Sequence, residues 1–224
     1  EFDHADIFPD LAAIQRQFHH LLRTVPGVGL IVTNGQDANL AEVLAMGCWT
    51  PVERFGTGDW EAREIAPDGS AFDVYYHGER QGRVVWTQLG LHNVNNALAA
   101  IAAARHVGVS VATAIEGLRD FQGVKRRLEV RGMVNGVTVY DDFAHHPTAI
   151  ATTLGGLRAR VGAQPIIAVL EPRSNTMKMG VFKDSLAPAL QEADQVVLYQ
   201  APDLGWNLDA VAAVIVAAMI AKIG

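Results

Sequence analysis

Apolar residues open the chain at three- and four-residue steps. Leu11, Ile14, Phe18, Leu21 and Leu22 fall on one face behind Pro9, which predicts a helix over residues 10–23. The run Gly29-Leu30-Ile31-Val32-Thr33, closed by Asn34-Gly35, reads as a buried strand and its turn. A second helix is expected over residues 39–46, ending at Gly47, where a left-handed cap is needed. From Val52 to Leu89 the pattern shortens to β-rich runs such as Phe72-Asp73-Val74-Tyr75-Tyr76 and Arg83-Val84-Val85-Trp86-Thr87. Asp68-Gly69 and Glu79-Arg80-Gln81-Gly82 separate them, so antiparallel strands with tight turns are expected. Residues 96–106 and 111–121 read as two helices split by Gly108, the second capped by Ser110. In the first of them Ala99, Ile101, Ala102 and Ala103 form a core stripe.

The helical pattern stops at Gln122-Gly123-Val124, which places a domain boundary between residues 1–123 and 124–224. Beyond it, apolar runs at 128–131 and 137–140 flank Asn135-Gly136, a strong two-residue hairpin signal. Strand and helix then alternate: helix 147–161, strand 165–170, helix 181–193, strand 195–199 and helix 208–223. This alternation predicts an α/β fold with a mostly parallel, doubly wound sheet, whose ligand site lies beyond the carboxyl ends of its strands.

Composition narrows the function classes. Eighteen Lys and Arg stand against 24 Asp and Glu, a formal net charge of −6, so no general attraction to nucleic acid or anionic lipid is expected. The apolar stretch from Leu208 to Ile223 is shorter than the ~20 residues a spanning helix needs, which argues against membrane insertion. Cys48 has no intrachain partner and the start lacks a secretory pattern, so the expected location is the cytoplasm. The sequence says nothing of oligomeric state. It begins without Met and stops directly after an apolar helix, so a fragment of a longer protein is expected.

The polar clusters at predicted strand ends carry the candidate chemistry. Asp141-Asp142-Phe143-Ala144-His145-His146-Pro147 lies between a strand end and a helix start, where two carboxylates and two imidazoles could bind metal, exchange protons or hold ribose and phosphates. The plainer reading is a helix cap with surface histidines. Glu171-Pro172-Arg173-Ser174-Asn175-Thr176 follows the next strand, and its arginine offers a planar fork for carboxylate or phosphate. In His92-Asn93-Val94-Asn95-Asn96 one asparagine could cap a helix, and the rest exceed capping needs, since an amide that both donates and accepts suits an adenine edge. Lys125-Arg126-Arg127 at the boundary could neutralise phosphate or be solvated surface. Asp3-His4-Ala5-Asp6 could supply one or two ligands to Mg²⁺ or Mn²⁺. No G-x-x-x-x-G-K-[ST] loop and no G-x-G-x-x-G fingerprint occurs.

Taken in order, residues 1–8, 30–43, 90–104, 121–129, 140–148 and 171–179 resemble the Mur ligase family, ATP-dependent amino-acid and peptide ligases of the bacterial cell wall. Residues 142–150 and 171–178 are similar to its peptide-adding branch. The resemblance implies residues 1–123 are the later part of a central ATPase domain, beginning past the phosphate loop, and 124–224 an incomplete Rossmann-like C-terminal domain. It implies ATP and Mg²⁺, with UDP-N-acetylmuramic acid and the murein tripeptide L-Ala-γ-D-Glu-meso-diaminopimelate as substrates, joined through an acyl phosphate in peptidoglycan recycling. By the same resemblance His4 is a Mg²⁺ ligand, Asn93 and Asn96 face adenine, and Arg127 is the catalytic arginine on the ATP phosphates. Asp142 takes the ribose or orients the second domain on ATP. His145, His146, Arg173, Asn175 and Thr176 serve the tripeptide, the individual roles of the two histidines being less clear. The first lobe's amides and the second lobe's acid-and-base cluster are expected to share a nucleotide cleft. Lacking the phosphate loop, this segment alone is not expected to turn over ATP. Alternatives are a single-amino-acid Mur ligase, a folylpolyglutamate-type ligase, or a stand-alone nucleotide- or metal-binding module such as a phosphoesterase using Asp141, Asp142, His145 and His146.

Overall fold

The computed structural model describes the backbone of residues 2–223 and the side chains of residues 2–219. The architecture is mixed α/β, in two compact units: one holds Phe8–Gln122, the other Gly123 onward together with the short segment Asp3–Ile7.

The first unit opens with α1 (Leu11–Leu22), capped by the Asp10 side chain, which accepts from the Ala13 N–H at 2.7 Å. The helix forms where its apolar spacing predicts, but it buries a different side. Ala13 and Gln15 are buried while Phe18 and Leu21 are exposed, because polar bonds dock the helix. Gln15 donates to Glu42 Oε2 at 2.7 Å, and His19 Nε2 lies 3.2 Å from the Gly47 carbonyl. Strand β1 (Ile31–Asn34) and helix α2 (Ala38–Ala45) follow, the latter capped by Asp37.

Strands β2 (Val52–Phe55), β3 (Trp60–Arg63), β4 (Ala71–Tyr76) and β5 (Glu79–Val85) complete a five-stranded sheet in the order β1-β2-β3-β4-β5. Only the β3-β4-β5 part is antiparallel; β2 lies parallel to both β1 and β3, and its pairing with β3 departs from the antiparallel expectation for residues 52–89. The β4–β5 turn also moves: Glu79–Gly82 pairs within β5, and the chain reverses at His77-Gly78, both at positive φ as a tight hairpin turn requires.

Helix α3 (Leu91–His106) packs Val94, Ala97, Leu98, Ile101 and Ala102 against Trp60, Phe72, Val74, Val84 and Trp86 of the sheet. These positions recur at i, i+3, i+4, i+7 and i+8, a helix stripe suited to one sheet face. Ala103, expected in that stripe, is exposed. Helix α4 (Val111–Arg119) adds Ile115, and Ser110 caps it as expected, accepting from the Thr113 N–H at 3.1 Å.

The second unit begins with the hairpin β6 (Glu129–Val134) and β7 (Val137–Asp141), turned at Asn135 (φ 51°) and Gly136 (φ 79°). Helix α5 (Pro147–Val161) runs over the predicted residues, its proline at the first position, where the missing N–H goes unused. Strands β8 (Ile167–Leu170) and β9 (Gln195–Leu198) pair in parallel. A short helix that was not predicted, α6 (Asn175–Lys178), ends before Gly180, whose φ is 73°, and the helix expected over 181–193 is shorter, α7 (Lys183–Ala189). Helix α8 (Asp209–Ile223) closes the unit, and among the described residues no helix is long and apolar enough to cross a membrane.

The core joins Ile150, Leu154 and Leu157 of α5 to Met177, Leu186, Leu190, Val211 and Ile215. Arg158 fastens the rim of this core. Its guanidinium donates to the carbonyls of Gly162 and Gln164 at 2.7 Å each and of Glu192 at 2.9 Å, and it pairs with Asp194. Asp194 in turn accepts the Ile166 N–H at 2.7 Å just before β8.

Candidate active site

In the first unit the candidate groups are Asn93 and Asn96. Neither caps α3, which begins earlier than the asparagine pattern suggests. Its N-cap is Gly90 at φ 87°, with no side-chain cap. Asn93 Nδ2 donates to the Leu89 carbonyl at 2.8 Å, and Asn96 Nδ2 approaches Asn93 Oδ1 at 3.4 Å. The two amides therefore share one helix face, with Asn96 exposed.

The helix start is bolted to the turn at Asp68–Ser70. Gly90 N–H donates to the Asp68 carbonyl at 2.8 Å, Trp86 Nε1 donates to the Gly69 carbonyl at 3.0 Å, and Asp68 Oδ1 accepts the Ser70 N–H at 3.0 Å. Gly69 sits at φ 78°, and a Cβ there would stand 3.0 Å from both Gly90 N and O. Only glycine fits this crossing without displacing backbone.

In the second unit, the basic run at 125–127 and the acidic turn at 141–144 form one clasp. Asp142 Oδ2 accepts the Leu128 N–H at 2.8 Å, and its Oδ1 accepts the Ala144 N–H at 2.7 Å. Phe143 N–H donates to the Arg126 carbonyl at 2.8 Å. Arg126 lies 4.8 Å from the Phe143 ring centre and pairs with Asp141 at 3.5 Å. Glu129 Oε2 accepts the Arg126 N–H at 2.9 Å; that bond, with Arg131 and Lys125 nearby and burial opposing, lowers the Glu129 carboxyl below its ordinary range. Arg127 is exposed, 5.8 Å from the Phe143 ring centre, and among the described residues no carboxylate pairs with it.

The loop after β8 meets the segment Asp3–Ile7. Ser174 caps α6 by accepting the Met177 N–H at 3.3 Å. Asn175 Nδ2 donates to Asp6 Oδ2 at 2.8 Å. Thr176 is only 3% exposed, and its Oγ1 accepts the Ala5 N–H at 3.3 Å. Arg173 and Asn175 are exposed. His145 Nδ1 lies 2.9 Å from the Phe143 carbonyl, and its Nε2 is 4.0 Å from Asp3 Oδ2. His146 caps α5 by accepting the Thr148 N–H at 3.3 Å, and its ring sits edge-on to Phe182. Partial burial would raise the Asp3 carboxyl, but bonds from the His4 N–H and Thr176, with His4 and His146 nearby, bring it below its ordinary value. The structure thus gathers His145, Asn175 and Thr176 around one short acidic segment.

His4 occupies a tight turn at φ 53°, its N–H bonded to Asp3 Oδ1 at 2.7 Å. Among the described residues no three His, Cys, Asp or Glu side chains converge as a metal-holding group, the Asp141–His146 stretch included. Sequence reading missed Phe143, the surface on which both arginines rest, and the Leu128 amide. The one signal was two polar clusters 14 residues apart, which does not say that a carboxylate grips a backbone amide.

Residues 1–104 match the Mur ligase middle domain, and residues 126–222 match the Mur ligase glutamate ligase domain. Over 214 residues the chain is 56% identical to the UDP-N-acetylmuramate–L-alanyl-γ-D-glutamyl-meso-2,6-diaminoheptandioate ligase of Escherichia coli, covering 95% of this chain and 47% of that protein. It is 35% identical over 207 residues to the UDP-N-acetylmuramate–L-alanine ligase of Salinibacter ruber, covering 88% of this chain and 42% of that one. A crystal structure of a murein peptide ligase from Psychrobacter arcticus superimposes with a TM-score of 0.66 at 47% identity, over 96% of this chain and 46% of its own. The chain spans about half the length of the curated relatives it matches. With two successive Mur ligase domains along its length and the fold of a solved Mur ligase relative, the chain belongs to the Mur ligase family.

Proposed function

We propose that this chain carries the adenine side, the phosphate-reaching arginine and the acceptor-binding domain of an ATP-dependent ligase. The full protein would join L-alanyl-γ-D-glutamyl-meso-diaminopimelate to UDP-N-acetylmuramic acid in peptidoglycan recycling. One observation carries the choice of acceptor: identity to the tripeptide-adding relative exceeds that to the alanine-adding relative by a wide margin over a similar stretch.

In this reading the UDP-N-acetylmuramic acid carboxylate attacks the γ-phosphorus of ATP, forming an acyl phosphate as ADP leaves. The tripeptide amine then attacks the acyl carbon, losing a proton, and phosphate departs from the tetrahedral intermediate. Asn93 and Asn96 orient adenine through amides that donate and accept. Arg127, which pairs with no carboxylate among the described residues, stabilises charge on the transferring phosphoryl group. Asp142 belongs to the nucleotide side of the second unit. Exposed Arg173 offers its fork to a tripeptide carboxylate, with Asn175 beside it. His145 and His146 border the acceptor, and buried Thr176 shapes the loop from beneath. The family's chemistry brings Mg²⁺ with ATP, and His4 is its proposed ligand. The described residues contain no three-ligand group for it, so no step here is routed through the metal.

The test is ADP release by the full-length protein with UDP-N-acetylmuramic acid plus tripeptide, plus L-alanine, or with no acceptor. The expected result is turnover with the tripeptide at least tenfold faster than with L-alanine. Faster turnover with L-alanine, or nucleotide hydrolysis indifferent to both substrates, would overturn the reading.

A further inference from the structure

The turn at Asp68–Ser70 holds the chain ahead of α3 through three successive carbonyls. Asp68 accepts the Gly90 N–H at 2.8 Å, Gly69 the Trp86 indole N–H at 3.0 Å, and Ser70 the Trp86 backbone N–H at 3.0 Å. Asp68 Oδ1 closes the turn on itself by accepting the Ser70 hydroxyl at 2.6 Å as well as the Ser70 N–H, and both Asp68 and Trp86 are buried. From here the geometry passes directly to the candidate amides. The Gly90 carbonyl accepts the Asn93 N–H at 3.0 Å, the adjacent Leu89 carbonyl accepts Asn93 Nδ2 at 2.8 Å, and Asn93 Oδ1 faces Asn96 Nδ2. Residues 89 and 90 therefore set both the backbone and the side chain of Asn93, and through it Asn96. Gly69 leaves no slack in this chain of contacts: a Cβ would stand 3.0 Å from Gly90 N and O, and φ 78° strains any L side chain. The far end of α3 is held separately. Arg105 lies 4.4 Å from the Tyr76 ring centre and pairs with Glu53 at 3.4 Å, nine residues beyond Asn96 and about 13 Å along the axis.

We infer that Gly69 and Trp86 are positioning residues for Asn93 and Asn96: the Asp68–Ser70 turn fixes where α3 begins, and with it where the two amides stand against the adenine edge. This rests on the reading of Asn93 and Asn96 as the adenine-facing groups. Hydrogen bonds work within a donor–acceptor window of about 2.7–3.2 Å, so a shift of about half an ångström is enough to weaken them. Gly69→Ala has to move Gly90 to relieve its contacts, and the amides move with it while the apolar face of α3 stays packed. Trp86→Phe keeps an aromatic ring in the core and removes the indole donor to the Gly69 carbonyl. Arg105→Ala loosens the same helix at its other end, away from the amides.

The test uses the full-length protein and compares ATP with an analogue lacking the 6-amino group of adenine. Wild type is expected to favour ATP by about tenfold in kcat/KM, the worth of one hydrogen bond to that group. In Gly69→Ala and Trp86→Phe the preference is expected to fall to about twofold, with KM for ATP raised about tenfold and with kcat and the KM for UDP-N-acetylmuramic acid little changed. Arg105→Ala, whatever its loss of stability, is expected to keep the full preference. An unchanged preference in Gly69→Ala and Trp86→Phe would overturn the inference, and Trp86→Phe decides alone where Gly69→Ala does not fold. An equal fall in Arg105→Ala would also overturn it, since the cause would then be general loosening of the helix. Equal use of both nucleotides by wild type would instead remove the adenine reading of Asn93 and Asn96, and the inference with it.

Discussion

The first unit positions its candidate residues by apolar packing, the second by hydrogen bonds to backbone. Asn93 and Asn96 ride on α3, whose opposite face holds Val94, Leu98 and Ile101 almost wholly buried against Trp60, Phe72 and Val84. Arg127, Asp142 and His145 instead lie on turns, and what fixes them is a short set of amide, carboxylate and carbonyl contacts. Apolar packing is non-directional and spread over many atoms, so it tolerates single polar changes. A polar clasp is directional, and one atom changed can free a turn. The same contrast runs through the strands. β4 is covered on its core face by fully buried side chains, whereas Ile167, Val169 and Val197 on one face of β8 and β9 are exposed.

The largest expected effect is in the apolar core. Phe72→Ala should destabilise the first unit by about 3–5 kcal/mol, read as a lower denaturant midpoint for that unit's transition, since the ring is fully buried. A loss below about 1 kcal/mol would mean that α3 is not held by packing. Next comes Arg158→Lys in the second unit, expected to lose about 2 kcal/mol because an ammonium cannot reproduce a fork spanning three carbonyls. A neutral result would break the claim that polar fastening governs this unit.

A smaller change is expected for Arg173→Ala in the full-length protein. Because Arg173 is exposed, the loss should be about 1.5 kcal/mol, roughly a tenfold rise in tripeptide KM with kcat little changed. An unchanged KM would reject its place at the acceptor carboxylate.

The smallest effect sharpens the comparison by locating a polar contribution inside the first unit. Asp73 accepts from Arg80 at 2.9 Å and from Arg83 at 3.0 Å, and the Arg80 fork above all, against burial, lowers its carboxyl below the ordinary range. Its folded pKa lies below its unfolded one, so its stabilisation is complete above the usual carboxylate pKa of about 3.9 and is lost as pH falls through the lowered folded value. Acid titration followed by tryptophan fluorescence should therefore show Asp73→Asn less stable than wild type at neutral pH, the gap closing toward strong acid. A gap independent of pH would assign the effect to shape rather than charge.

How much was legible in the chain depends on whether the signal was local. Helix α5 and the Asn135-Gly136 hairpin were readable because proline at a helix start and two residues suited to positive φ act within a few residues of themselves. The start of α3 was misread because asparagine is a good cap in general, whereas here the turn at Asp68–Ser70 holds Gly90 and moves the start to Leu91. The helix expected over 181–193 shortens to Lys183–Ala189 and α6 before it was not foreseen, the two being separated at Gly180, which sits at positive φ beside Trp206, a neighbour distant in sequence. The polar clusters were visible as residue types. Their grouping was not: nothing in the order of residues joins Asp142 to the Leu128 amide, or Thr176 to Ala5.

The order of amino acids alone determined the α/β class, the places of most helices and strands, and the clustering of polar residues at the strand ends. These follow from periodicity and from backbone preferences that operate within one turn of chain. Tertiary structure decided which face α1 buries, which strands run parallel, and that Arg126 of the basic run pairs with Asp141. Those outcomes depend on hydrogen bonds between groups far apart in sequence, whose geometry exists only once the chain has closed on itself.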